Sequence, residues 1–260
     1  MLRNKGKGTS LRALFFAEKA GNKLRKVSVS HETYVKRLIL AMDSKEAKIT
    51  VKKTARYYTL GKDITRAERI WFACHGYGQL GGYFIRKFSV LDAERNFVIV
   101  PEGLNRFYLD GFSGRVGATW MTKEARLDDI KDYVNYLDDL HVALGLDALP
   151  EGSELIHFGF SQGVATAARY IAFGKIKPKR AVFWAGSFPP DMTPEDPKGA
   201  LKNLPVYTCT GDEDPFVTEE KIAAGQALLG QHCENINDFR FRGKHDIPGE
   251  ALLRLEKLFT

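Results

Sequence analysis

No stretch of this 260-residue chain approaches the roughly 20 consecutive apolar residues of a membrane-spanning helix, which argues against a helical bilayer protein. Cysteine is scarce. Cys74, Cys209 and Cys233 are too few and too scattered for a disulfide framework or a zinc site, so no metal is expected. Cys74 and Cys209 lie in apolar, strand-like runs, as buried thiols do in a reducing compartment, and a cytoplasmic location follows as the expectation. No G-x-x-x-x-G-K-[ST] occurs, and the glycines of "HGYGQLGG" read as a loop of another kind than a nucleotide-binding turn, so no nucleotide cofactor is expected, nor any other cofactor. There are no internal repeats and no low-complexity tract.

An excess of one charge is also missing from most of the chain. The net charge is +7, but residues 1–41 hold ten Lys/Arg against two Glu, which leaves 29 basic and 30 acidic residues in the remainder. The body is therefore neutral, and a nucleic-acid partner is not expected. Residues 1–41 read as a basic, flexible extension without a convincing signal-peptide core; a transit-peptide-like leader and a true start at Met42 are the alternatives. Residues 42–260 read as one domain.

What is present from residue 47 onward is an alternation of strands and helices. "AKITVKKTARYYTLG" reads as an opening antiparallel hairpin or edge strand. "RIWFAC", "NFVIVP", "SELIHFGF", "RAVFWAG" and "PVYTCTG" are short apolar runs closed by Gly or Pro, as suits strands buried on both faces of a parallel sheet. "NDFRFRG" alternates and reads as a last, edge strand. Between them, residues 122–145 place Leu127, Ile130, Val134, Leu137 and Leu140 at helical spacing, and residues 161–173, 216–229 and 248–259 are further helices. The order β-α-β-α implies an α/β fold: a doubly wound, mostly parallel sheet with helices on both faces. No stretch is long enough for a cap domain.

Residues 159–163 read G-F-S-Q-G, a G-x-S-x-G that is weak by itself and strengthened by its context. "ELIHF" before it is a strand and "QGVATAARYIAF" after it is a helix. A serine on so tight a strand-to-helix turn needs small neighbours, and the helix N-terminus puts positive potential beside its oxygen. "GFSGR" at 111–115 begins similarly but has Arg115 where glycine is needed. An activated Ser161 needs a base, and the base an orienting acid, each on a loop leaving the carboxyl end of a strand. "GDEDPFV" offers Asp212, Glu213 and Asp214; "GKHDIP" offers His245. Of the other histidines, His157 falls within a strand and reads as a core residue, and His75 opens "HGYGQLGG" directly after "RIWFAC". A His-Gly-x-Gly loop in that place suits one half of an oxyanion hole, and the residue after the nucleophile, Gln162, suits the other.

With "HGYGQ", "GFSQG", "GDEDPFV" and "GKHDIP" in this order, and "PEG" after the third strand, the chain resembles the α/β-hydrolase superfamily, and within it the phospholipase/carboxylesterase family that includes acyl-protein thioesterases. The resemblance covers about residues 69 to 259. It implies Ser161 as nucleophile, His245 as base, Asp214 as orienting acid, and Tyr77 and Gln162 as backbone N–H donors. The chain departs from the family pattern at Gln79, Val164 and Asp246. The expected activity is hydrolysis of a small-molecule carboxylic ester or thioester through an acyl-enzyme. Peptidase, lipase or depolymerase chemistry with the same triad, and a non-catalytic binding protein on the same fold, are the alternatives. Two loops, 102–122 and 186–203, are long enough to shape the substrate pocket; in the first, Trp120, Tyr108 and Met121 are the candidates to wall it.

Overall fold

The computed structural model describes residues 45–175, 177–193 and 199–259, together with the backbone of two strands at 14–20 and 23–29. It falls into two units, Met1–Lys53 and Thr54–Thr260. The expected boundary at residues 41–42 lies outside the described residues.

In the first unit, β1 (Leu14–Ala20) pairs antiparallel with β2 (Lys23–Val29), in register from Leu14 opposite Val29 to Ala20 opposite Lys23. The basic composition of this segment gave no hint of an element. The signal that was there is the Gly21-Asn22 dipeptide between the two runs, a residue pair common in two-residue hairpins.

The second unit is a seven-stranded sheet. Its strands are β3 (Tyr57–Leu60), β4 (Arg69–Cys74), β5 (Asn96–Pro101), β8 (Glu154–Phe160), β9 (Arg180–Trp184), β10 (Val206–Gly211) and β11 (Ile236–Phe241). The spatial order is β11-β10-β9-β8-β4-β5-β3, parallel throughout except for the antiparallel edge pair β3–β5. All six residues of β4 are buried, as a central strand covered on both faces requires. The opening strand is shorter than the residue pattern implied: residues 45–56 hold no strand, and Ile49 and Val51 stand in solvent. Pairing begins only at Tyr57, where Tyr58 and Leu60 reach the core.

Two more strands arise inside the loop after β5. There β6 (Asn105–Tyr108) and β7 (Val116–Thr119) form a small antiparallel pair, and the segment 109–115 joins them with Gly111 and Gly114 at positive φ. Helices cover both faces of the main sheet: α1 (Gly81–Phe84), α2 (Arg126–Ala143), α3 (Gln162–Phe173), α4 (Glu219–Gly230) and α5 (Gly249–Glu256). On one face Trp71, Phe158 and Trp184 pack against Phe88 and the Leu252 and Leu255 of α5. On the other, Ile70, Phe72 and Ile99 meet Tyr133 and Leu137 of α2, while Ala181 and Phe183 meet Val164, Ala168 and Ile171 of α3. Each fully buried Val, Leu, Ile or Phe among them contributes about 1.5–3 kcal/mol. Helix α2 starts later than its apolar spacing implied, after Ala125 in a left-handed conformation, and Leu127 is exposed rather than part of the stripe.

Candidate active site

Four loops leave the carboxyl ends of parallel strands on one edge of the sheet: Tyr77 follows β4, Ser161 follows β8, Asp214 follows β10 and His245 follows β11. That edge is where open α/β sheets bind their ligands.

Ser161 closes β8 and caps α3 with φ 54° and ψ −116°, a backbone conformation that a non-glycine residue adopts only when its surroundings impose it. The surroundings are visible in the flanking glycines. A Cβ at Gly159 would overlap the Gly163 carbonyl, and one at Gly163 would overlap the Cys74 carbonyl oxygen, so strand, turn and helix approach to backbone distance. The Ser161 N–H donates to the Trp184 carbonyl at 2.9 Å, which fixes the turn to β9.

The His245 Nδ1–H donates to Asp214 Oδ2 at 2.7 Å. This tautomer leaves the lone pair on Nε2. The Asp214 side chain is wholly buried, and its other oxygen accepts the Phe216 N–H at 2.9 Å. The imidazole lies between two rings, Phe160 at 5.0 Å and Phe216 edge-on at 4.9 Å. Of the three acids in "GDEDPFV", Asp214 alone meets the histidine. Asp212 turns back on its own loop and accepts the Gly243 N–H at 2.9 Å. Ser161 and His245 line one cleft of about 520 Å³, with Tyr77 at its rim.

The "HGYGQ" loop is braced from several sides. His75 is fully buried; its Nε2 accepts the Gly103 N–H at 2.9 Å, so its proton sits on Nδ1, 2.8 Å from the Gly76 carbonyl. Burial pulls its pKa down to about 4, and it stays a neutral strut. Glu102, 1% exposed, accepts the Gly81 N–H at 3.1 Å and an Arg56 bond at 2.9 Å, which pins the far end of the loop. Gly78 donates to the Ala118 carbonyl at 2.8 Å, hanging the loop on β7. Gln162 stands in the first turn of α3, where helical N–H groups have no intrahelical acceptor. Its side chain serves another purpose: Oε1 accepts from the Trp120 N–H at 3.2 Å and Nε2 donates to the Met121 carbonyl at 2.9 Å. The sequence reading assigned Gln162 only its main chain and gave Glu102 no role. The buried carboxylate in "PEG" was the available signal.

The positions departing from the family pattern all have structural duties. Gln79 Oε1 accepts the Gly76 N–H at 2.9 Å and closes the turn around Tyr77. Val164 is fully buried against Gly186. Asp246 pairs with Lys87 at 2.7 Å, and its carbonyl accepts from Trp184 Nε1 at 2.9 Å.

The three expected pocket residues do not wall this cleft. Trp120 is 1% exposed; its indole N–H donates to the His75 carbonyl at 2.8 Å, and a buried tryptophan with that partner is a core residue. Tyr108 is half exposed on β6, away from the cleft, and Met121 Sδ lies 3.8 Å from Arg169 Nη1. The walls come instead from Phe183, Phe188, Phe216, Val217, Ile222 and Leu229. His157, expected as a core residue, is fully buried, stacked between Phe72 and Tyr170 at 5.2 Å from each. Neither of its ring nitrogens has a hydrogen-bond partner among the described residues, and burial lowers its pKa to about 3. The three cysteines are buried thiols, and burial raises their pKa values, so none is a nucleophile.

Comparison with known proteins bears on the family and the fold. The family model described as Phospholipase/Carboxylesterase matches residues 64–259. No curated protein matches the sequence. Among solved structures, the fold is similar to Zea mays acyl-protein thioesterase 2, with a TM-score of 0.60, 18% identity, and coverage of 79% of this chain and 97% of that one. A phospholipase/carboxylesterase from Dyadobacter fermentans aligns with a TM-score of 0.58 at 17% identity, covering 80% and 97% of the two chains. The Bacillus cereus carboxylesterase aligns with a TM-score of 0.54 at 18% identity, covering 78% and 92%. At such identities these structures establish the α/β-hydrolase fold. Among the described residues, no helix is long and apolar enough to cross a membrane.

Proposed function

The chain belongs to the phospholipase/carboxylesterase family, and from that premise we propose that it hydrolyses carboxylic esters or thioesters by a Ser161–His245–Asp214 triad. The observation that carries the reading is the 2.7 Å bond from His245 Nδ1 to a buried Asp214, at the rim of a cleft that also receives a serine held at positive φ.

Each residue then has a role set by its surroundings. Asp214 fixes the imidazole tautomer and stabilises the imidazolium. His245 Nε2 takes the proton as Ser161 Oγ bonds to the substrate carbonyl carbon. The carbonyl π electrons move onto oxygen, which is met by the N–H groups of Tyr77 and Gln162. One such donor in a water-poor site is worth about 3 kcal/mol of barrier. Collapse of the tetrahedral species breaks the bond to the alcohol or thiol, which leaves with the proton from His245. Water then repeats the sequence on the acyl-serine, releasing the acid and restoring Ser161.

The test is hydrolysis of p-nitrophenyl acetate by the intact protein and by Ser161→Ala. The expected result is a loss of kcat of at least about 10³-fold in the variant, with a residue of catalysis from the oxyanion donors. Undiminished turnover in Ser161→Ala would remove the serine from the mechanism.

A further inference from the structure

Helix α4 covers its sheet poorly. Of its twelve residues only Leu229 is buried, whereas α3, also twelve residues long, buries nine. The cleft that holds Ser161 and His245 is also lined by α4, by Phe183 of β9 and by Thr208 and Thr210 of β10.

The face that α4 turns toward this space has a definite make-up. Ile222, Gly225, Gln226 and Leu229 line the cleft, at spacings of three, one and three, which is one side of a helix. Phe183 and Phe188 face them from the sheet side. Gly225 leaves this side of the cleft open. A Cβ placed there meets nothing within 4 Å, and any larger side chain would extend into open space. Glycine in a helix interior costs about 0.8–1 kcal/mol relative to alanine, so helix propensity does not account for its presence. A volume of about 520 Å³ lies within the range of small-ligand sites and exceeds what an acetyl group fills.

We propose that the cleft beneath α4 receives the hydrocarbon part of the ester, a chain of medium length, and that Gly225 sets the length accepted. This rests on the esterase reading for its chemistry, but the cleft itself is a binding claim that stands apart from turnover. The occupant follows from continuity: whatever enters is covalently joined to the carbonyl held at Ser161, and the walls it meets are mostly aromatic and aliphatic, with Thr208, Thr210, Lys221 and Gln226 among them. Two ester series say which side of the substrate it is, p-nitrophenyl esters of graded acyl length and acetate esters of graded alcohol length.

In one of these series kcat/KM is expected to rise about fourfold per methylene up to about eight carbons, as burial of each CH₂ dictates. Gly225→Leu is expected to lower kcat/KM on the long ester by about tenfold or more while acetyl turnover stays within about twofold. Gly225→Ala is expected to change neither by more than about twofold. The Leu variant is expected to keep its melting temperature, because leucine favours the helix over glycine. Ile222→Phe fills the same face one turn earlier and carries the same expectation. A length profile unchanged in both filling variants, or equal loss on short and long esters, overturns the proposal. Calorimetric binding of 1-octanol and 1-butanol separates it from the esterase reading. Octanol binding at least tenfold tighter than butanol, with the difference removed by Gly225→Leu, upholds the cleft even where no ester is cleaved. Equal binding of the two alcohols overturns it even where esters are cleaved.

Discussion

Asp214 is held by both of its oxygens at once: Oδ2 takes the His245 Nδ1–H at 2.7 Å and Oδ1 takes the Phe216 N–H at 2.9 Å. Its neighbour two residues earlier, Asp212, bonds instead to the Gly243 N–H. Two aspartates on one loop thus have separable duties, one toward the imidazole and one toward the loop.

Asp214→Asn is expected to leave the fold intact and reduce kcat by about 10³–10⁴-fold, because an amide cannot hold the imidazole in the same tautomer with the same charge. Asp212→Asn is expected to reduce kcat less than tenfold, the effect of one net loop hydrogen bond worth about 1 kcal/mol. Steady-state kinetics with melting curves separate the two. A mild Asp214 variant beside a crippled Asp212 variant would reverse the assignment.

Gln162→Ala keeps the main-chain N–H proposed for the oxyanion and removes the side-chain bonds to the Trp120 N–H and Met121 carbonyl. The Trp120 N–H then loses its side-chain acceptor, while the Met121 carbonyl keeps the Thr119 hydroxyl at 2.9 Å, and the expected cost is about 1–3 kcal/mol of stability. The expected effect on kcat/KM is smaller than that of Ser161→Ala by at least about tenfold. Urea denaturation and ester hydrolysis on the same preparation check both halves.

Much of the fold was legible because its strands are buried on both faces. Runs such as "RIWFAC" and "NFVIVP" are apolar at every position after the first, so neither register nor face had to be known to place them. The residues of the proposed triad could be picked out for a related reason. Each follows a strand end, and Gly159 and Gly163 mark a turn where strand and helix backbones meet. The pocket was not legible. Trp120 sits in a glycine-rich stretch that looks like loop but contains two short strands, and the His75 carbonyl that captures its indole N–H is 45 residues away. The cleft walls come from β9, the loops after β9 and β10, and α4, whose shared feature, a gap, is a property of packing that no single segment spells out.

Acid sensitivity follows from two buried histidines. Their folded pKa values, about 3 for His157 and about 4 for His75, lie below the ordinary value near 6.5. Below pH 6.5 the unfolded chain therefore binds protons that the folded chain does not. This contribution to stability is complete above pH 6.5 and is lost as pH falls toward 4 and then 3, at up to about 1.4 kcal/mol per pH unit for each histidine. His157→Phe, which retains the stack between Phe72 and Tyr170, is expected to flatten the fall of unfolding free energy between pH 6.5 and 4. Denaturation curves at a series of pH values measure it, and an unaltered slope in the variant would mean that His157 does not control it.

All of the proposed catalytic residues lie in the unit Thr54–Thr260, and residues 1–41 carry the basic excess. A chain beginning at Met42 is expected to keep kcat/KM on a small ester within about threefold, less than roughly 1 kcal/mol of barrier. A larger loss would make the basic segment part of the enzyme.

The nucleophile itself can be read by mass. Incubation of the intact protein with a fluorophosphonate is expected to add one phosphonyl group, with fluoride leaving, and peptide mapping is expected to locate it on Ser161. His245→Ala is expected to slow that labelling by at least about 10²-fold, since the serine loses its base. Absence of an adduct on Ser161 in a preparation that still hydrolyses esters would contradict the triad, and labelling unaffected by His245→Ala would contradict the role of the histidine.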